Sequence, residues 1–373
     1  MKILHIIPAY KPAYGYGGPT ESVSRLCEGL AAAGHSVDVF ATTANGDKEL
    51  DVVPGVAVDV DGVNVIYFKR ITGDPTHVSP DLWSHLKKTA GNYDVIHVHS
   101  WWNVLVVMAA RIALKSKAKV IVAPRGMLSP YIFSSGKSIF KKAIHNFIGR
   151  GILKRCVLHA TAPSEYVECR EIIPGWEGFV LPNIITLPDA PITEWVNDTF
   201  TLIFLSRVHP KKGLENLFRA IAKLDFNVKL KIAGSGDDDY MAELKKLTAE
   251  LNIEDKVEWL GWVNREEKFK ELNRSDLFVL TSLNENFANV VIESLHMGTP
   301  VLISEDVGLA DFVKEKDMGW TCTLDVDSIA AQLKAAYLDT AKRTLIRNTG
   351  RDTIEETFCE KVLIDQYVAE YKK

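Results

Sequence analysis

The sequence predicts an α/β protein of two doubly wound domains facing a central cleft. Three observations carry this. Short apolar runs alternate with segments of helical period, the alternation breaks once at 182–200, and it then restarts with the same architecture. The length of 373 residues fits two domains at roughly 150 residues each.

The first unit sets the pattern. The apolar run 3–7 reads as a strand, and a glycine-rich turn, Gly15-Tyr16-Gly17-Gly18, follows it. Val23, Leu26, Cys27 and Leu30 then mark one face of a helix, Gly34 ends it, and Val37, Val39 and Phe40 open the next strand. Further strands are expected at 63–68, 95–98, 120–123, 157–160 and 179–181, with helices between most of them. The stretch 182–200 holds three prolines and no period, and its centre, 187–199, is the expected linker between a domain of 1–186 and one of 200–355. Beyond it, strands are expected at 202–205, 228–232, 257–260, 277–280 and 301–303. In such sheets ligands bind outside the carboxyl ends of the strands.

Composition narrows the function. Forty-four Lys and Arg against 48 Asp and Glu give a net charge of −4, which argues against nucleic acid as the main partner. The cysteines at 27, 156, 169, 322 and 359 are odd in number and widely spaced, with no CxxC, which excludes a disulfide scaffold and a cysteine zinc site. The apolar stretch 104–114 is short and contains Arg111, so no membrane span is expected. The run 3–7 is too short for a leader core. A cytoplasmic protein is the expectation, with attachment at the inner membrane face as an option.

Two loops carry most of the chemistry. In Ser206-Arg207-Val208-His209-Pro210-Lys211-Lys212-Gly213, two cations straddle a turn behind a strand, a pattern suited to an anion. A solvated basic loop would look the same. The second loop runs from Thr281 to Pro300. A helix is expected from Asn289, as N-cap, to Gly298, which leaves Glu285 in the loop and Glu293 in the early helix. A helical gap of eight would hold the two carboxylates ~12 Å apart, against ~5 Å for a retaining hydrolase pair, so two separate jobs are expected.

These residues together resemble family 4 of the retaining GT-B glycosyltransferases. The resemblance rests on Gly17-Gly18, Arg207…Lys212-Gly213, Gly234-Ser235-Gly236, Leu260-Gly261 and the spacing of Glu285 and Glu293. It implies transfer from a nucleoside-diphosphate sugar to a glycan or lipid-linked acceptor, as in cell-surface polysaccharide synthesis. It also implies no metal and no other cofactor. The first domain would take the acceptor and the second the donor, with a C-terminal helix, 356–373, crossing back to the first domain. Arg207 and Lys212 would neutralise the donor diphosphate. Glu285 would contact the transferred sugar, and the backbone of Phe287, Ala288 and Asn289 would approach sugar and phosphate. Glu293 would hold the ribose hydroxyls. Gly17 and Gly18 would let backbone meet the donor phosphate or the acceptor, and Gly234 and Gly261 would let it meet the donor. His99 matches a catalytic histidine that touches the donor sugar. Arg125 would bind acceptor or phosphate.

The chain also departs from the pattern. Ala288 stands where the family often has glycine, and Asn286 could change the sugar accepted. The dinucleotide fingerprint fails at Thr20 and lacks an acid after the second strand, which argues against a dehydrogenase. Asp237-Asp238-Asp239 reads as helix capping rather than a metal motif. His97 and His99 are expected on opposite faces of their strand, which would preclude a shared metal. Trp101 is expected to edge the acceptor by stacking on sugar, with core packing as the competing role for one of Trp101 and Trp102. The basic amphipathic stretch 137–155 reads first as a helix packed on the first sheet with its lysines in water, and second as a weak contact with anionic lipid. Two rival readings stay open: a nucleotide-sugar epimerase of the same fold, and a non-catalytic nucleotide-sugar binder.

Overall fold

The computed structural model describes residues 1–130, 148–193 and 197–373. Most of the amphipathic stretch 137–155 therefore lies outside the described residues. The chain divides into two compact units, Met1–Thr186 with Glu360–Lys373, and Leu187–Cys359. Each is an α/β unit built on its own sheet. No helix among the described residues is long and apolar enough to cross a membrane.

The first unit contains β1 (Lys2–Ile6), β2 (Ser36–Thr42), the short pair β3 (Ala44–Asn45) and β4 (Lys48–Glu49), β5 (Ala57–Val60) and β6 (Val63–Phe68). It continues with β7 (Val95–His99), β8 (Lys119–Ala123), β9 (Val157–Ala160) and β10 (Gly178–Val180). Eight of these form one sheet in the order β10-β9-β8-β7-β1-β2-β6-β5. All its pairings are parallel except β5 with β6. Parallel strands covered on both faces read as continuous apolar runs, which is why β1, β8 and β9 were visible in the sequence. The exposed edge strand β5 lacks that signal, and its hairpin turn is made by Asp61 and Gly62, both at positive φ.

The second unit contains β11 (Phe200–Leu205), β12 (Val228–Ala233), β13 (Val257–Gly261), β14 (Leu277–Leu280), β15 (Val301–Ser304) and β16 (Gly319–Cys322). They form a parallel sheet in the order β13-β12-β11-β14-β15-β16. The order reverses at β11 and β14, so the loops leaving these strands lie at the switch point where such sheets bind ligands. The segment 182–193 has no regular structure, in keeping with its prolines. The C-terminal helix Glu360–Lys372 packs in the first unit, where Arg25 pairs with Glu360 at 2.6 Å.

Candidate functional site

In the second unit, the loops after β11 and β14 are joined through backbone. The Leu283 amide donates to the Lys211 carbonyl at 2.8 Å, and the Thr281 hydroxyl donates to the Gly213 carbonyl at 3.1 Å. Gly213 is required there. Its φ is +67°, and a Cβ would stand 2.2 Å from the Thr281 carbonyl oxygen. Gly213 then opens the helix Leu214–Ala222. The glycine turn after β12 lies alongside, with Val208 bridged to Gly236 and a Gly234 Cβ excluded by the Ser206 carbonyl at 1.9 Å.

This stitching brings Lys212 and Glu285 together as a partly buried ion pair. Arg207 is exposed at the start of the same loop. The Glu285 amide and carbonyl are held by the backbone of Asp306 and Gly308 at 2.9 and 2.8 Å. Phe287 is buried with its ring against Phe358. The following helix is Asn289–His296, and its N-cap is Ala288 at φ +65°, not Asn289. The asparagine is the first helical residue because the left-handed turn falls one position earlier. Glu293 is 4% exposed and accepts a hydrogen bond from Lys268 at 2.7 Å, so it is no solvated face residue. Lys268 was not foreseen, because nothing local in the sequence ties it to a residue 25 positions away. Asp237 caps the helix Asp238–Glu250, accepting from the Asp239 and Tyr240 amides, as expected. Gly261 ends β13 at positive φ, and the exposed Trp262 follows it.

In the first unit, Gly17 adopts φ +77° between a tight turn, Tyr14–Tyr16, and the helix Gly18–Ala32. Ser100, Trp102 and Arg125 all have positive φ just past the ends of β7 and β8. Three strained non-glycine residues at adjacent strand ends mark a place where surrounding structure imposes the conformation. Arg125 is half-buried. Its Nη1 donates to Ser22 Oγ at 3.1 Å and Asn183 Oδ1 at 2.8 Å, and its Nε donates to His99 Nδ1 at 3.3 Å. All these acceptors are neutral, and no carboxylate lies within 4.0 Å of the guanidinium among the described residues. The next amide, Gly126, is held by buried Glu165 at 2.6 Å. Burial raises the pKa of Glu165 against its bonds to the Thr161 and Gly126 amides.

Two expectations for this unit are corrected. His97 and His99 share one face of β7, since side chains two residues apart in a strand point the same way, and their ring centroids are 4.1 Å apart. Trp101 is 1% exposed within the core beside Leu105 and Leu128, so it has no free ring face for a sugar. Its neighbour Trp102 donates its indole N–H to the Met127 carbonyl.

The histidines belong to a larger buried cluster that sequence reasoning missed. His5 lies in register with His97 across β1 and β7, and His159 stands on β9. His5, His97, His99 and His159 are all fully buried. Burial lowers every one of their pKa values, to about 3 for His5 and His159. Nitrogens of His5, His97 and His99 lie within 4.8 Å of one another, a spacing that admits a metal ion. The chemistry does not suit one. Arg125 donates to His99 Nδ1, which leaves the proton on Nε2, the nitrogen nearest His5, and a guanidinium disfavours a second cation alongside.

Comparison with known proteins decides the family. Residues 17–173 match the model of a glycosyl transferase 4-like domain, and residues 189–353 match that of the glycosyl transferases group 1. The chain belongs to the group 1 glycosyltransferases. An uncharacterized glycosyltransferase of Methanocaldococcus jannaschii is 28% identical over 403 residues, covering 100% of this chain and 98% of the relative. Among solved structures, sucrose-phosphate synthase from Thermosynechococcus elongatus aligns with a TM-score of 0.76 at 20% identity, over 100% of this chain and 98% of that one. HepE of Anabaena, solved in complex with UDP-glucose, aligns with a TM-score of 0.73 at 20% identity, over 99% of each chain. These likenesses establish the GT-B fold. As a glycosyltransferase the chain is an enzyme that moves a hexosyl group.

Proposed function

We propose that this glycosyltransferase moves a sugar, with retention and without a divalent ion, from a nucleoside-diphosphate sugar to a glycan or lipid-linked acceptor in cell-surface polysaccharide synthesis. The observation that carries the reading is Lys212 paired with Glu285 on two loops joined through Gly213 at the switch point of the second sheet. A diphosphate is the polyanion best able to take Lys212 from its carboxylate, and the exposed Arg207 on the same loop adds a second charge. The solved complex of HepE with UDP-glucose supports a donor of this class.

Chemically, the bond between the anomeric carbon and the diphosphate oxygen breaks, and its electron pair leaves with the phosphate. The acceptor hydroxyl oxygen forms the new bond on the same face and passes its proton to the departing phosphate oxygen. Arg207 and Lys212 stabilise the charge that accumulates there, each worth on the order of 3 kcal/mol in the transition state. Glu285, released from Lys212, accepts hydrogen bonds from the sugar. Glu293 offers its second oxygen to the ribose, with Lys268 holding the first. In the first unit, Arg125 serves an acceptor or phosphate group, since the groups that accept its hydrogen bonds are all neutral. Peripheral contact with the inner face of a membrane through 137–155 is part of the same reading.

A thermal-shift panel of UDP, GDP, ADP and their sugars tests it. One nucleotide series should raise the melting point of the parent chain and fail to do so in Lys212→Ala and Arg207→Ala. Full transfer activity in either variant, or turnover that strictly requires magnesium or manganese, would defeat the proposal. Conversion of the sugar without any acceptor would favour the epimerase instead.

A further inference from the structure

The buried histidines form two hydrogen-bonded chains whose directions are fixed by their ends. A guanidinium can only donate. Arg125 Nε therefore donates to His99 Nδ1 at 3.3 Å, and His99 must carry its proton on Nε2 and donate it to His5 Nδ1 at 2.9 Å. His5 is left with a protonated Nε2, which has no partner among the described residues. A carbonyl can only accept. His159 Nε2 thus donates to the Leu181 carbonyl at 2.9 Å, and His97 Nε2 donates to His159 Nδ1 at 3.2 Å. His97 Nδ1 accepts from the Tyr371 hydroxyl at 2.8 Å. The second chain packs against the first through the tilted rings of His97 and His99, whose centroids are 4.1 Å apart.

In this arrangement His99 has both nitrogens engaged and no exposed surface. Arg125 is different. Its bonds use Nε and Nη1, and Nη2 has no partner among the described residues. Arg125 is half-buried where His99 is sealed, and it has the strained backbone. The ring of His99 is therefore placed to fix Arg125 rather than to reach a ligand.

We propose that His99 is a positioning residue: its Nδ1 aims the Arg125 guanidinium, which is the group of this cluster that meets the substrate. This departs from the role that the family resemblance implies for His99, a direct contact with the donor sugar. It rests on the transfer reading above. Tyr371 and His97 form the floor against which His99 is held, so the C-terminal helix contributes to the same placement.

The two nitrogens of His99 can be mimicked separately. In His99→Asn the amide oxygen stands near the place of Nδ1 and can still accept from Arg125. In His99→Gln the amide reaches the place of Nε2 and the acceptor for Arg125 is lost. Both variants bury one amide, so their effects on the melting point should be similar. The full chain is assayed by nucleotide release, with water taking the sugar in place of the acceptor hydroxyl, from whichever of UDP-glucose, GDP-mannose and ADP-glucose it uses best. The positioning role predicts that His99→Asn stays within about 5-fold of the parent, while His99→Gln loses roughly 100-fold in kcat at little change in donor KM, the scale of an ångström of misplacement. In parallel, NMR of arginine Nε–H groups, with the Arg125 signal assigned by its loss in Arg125→Lys, should retain that signal in His99→Asn and lose it in His99→Gln. The reverse order of activities would place Nε2 on the ligand and overturn the proposal, as would equal losses or two unaffected variants. A parent chain that releases nucleotide from none of the three donors counts against the transfer reading, and the Arg125 signal then decides alone whether His99 holds it.

Discussion

Replacing Glu285 with glutamine should make this glycosyltransferase bind free nucleoside diphosphate more tightly while it transfers sugar more slowly. The reasoning starts from the ion pair. Lys212 is bonded to Glu285, and the two side chains are 13% and 22% exposed. A diphosphate that recruits Lys212 must first displace that carboxylate. At ~4 Å and an effective dielectric of ~20, the direct attraction is about 4 kcal/mol. Desolvation and the water still reaching both groups reduce the net value, and about 1–2 kcal/mol is a reasonable remainder. Relieving that competition corresponds to roughly 5- to 30-fold tighter binding. The loss of the carboxylate from the sugar should meanwhile lower kcat by ~100-fold. Isothermal titration with the preferred nucleoside diphosphate measures the first effect, and turnover of its sugar measures the second. A double-mutant cycle separates the ion pair from simple repulsion between Glu285 and phosphate. In a Lys212→Met background the gain from Glu285→Gln should vanish. Unchanged or weaker binding in the single variant, or a gain that persists without Lys212, would refute the reasoning.

Lys268→Met should strand the buried Glu293 carboxylate and destabilise the chain by ~3 kcal/mol, with Glu293→Gln in the same chain recovering part of it; denaturant melts measure both. Ala288→Gly should relieve a left-handed alanine at the start of Asn289–His296 and raise stability by about 0.5–1 kcal/mol, seen as a rise of a few degrees in melting temperature. His5 and His159 have folded pKa values of about 3 against 6.5 unfolded, because burial disfavours their charged forms. The unfolded chain then binds more protons between those values, so stability should be complete above pH 6.5 and fall as pH drops below it. The slope is at most ~1.4 kcal/mol per pH unit for each histidine, and His5→Asn should make it shallower in urea melts at pH 7 and pH 5.

The fold was legible where burial writes a continuous apolar run. The strands at 157–160 and 277–280 were placed residue for residue, since parallel strands covered on both faces leave no polar alternation to confuse. Besides the two-residue pair β3 and β4, two strands of the main sheets escaped, for opposite reasons. The edge strand Ala57–Val60 is mostly exposed and reads Ala-Val-Asp-Val, yet the Asp61-Gly62 turn behind it carried a hairpin signal that could have found it. Gly319–Cys322 has no such marker. Its Gly319 lies against the Val301 carbonyl, where a Cβ would come within 2.1 Å, a constraint that exists only once the neighbouring strand is in place.

The site divides along the same physical line. Loop chemistry such as Arg207, Lys212 and Glu285 is readable because charge and glycine sit close together in sequence behind apolar strands. The histidine cluster is not readable that way, because it is made by register. His5 meets His97 only when β1 and β7 pair with Ile3 beside Val95, and His159 and Tyr371 come to His97 from 62 and 274 residues away. What the sequence did offer was the spacing of His97 and His99. Residues two apart on a strand share a face, so both rings had to enter the same layer, and a layer packed beneath a covered parallel sheet is dry. Two histidines forced into a dry layer must be neutral and must find donors and acceptors there. That requirement, followed from β7 outward, calls for partners of the kind that Arg125, His5, His159 and Tyr371 supply.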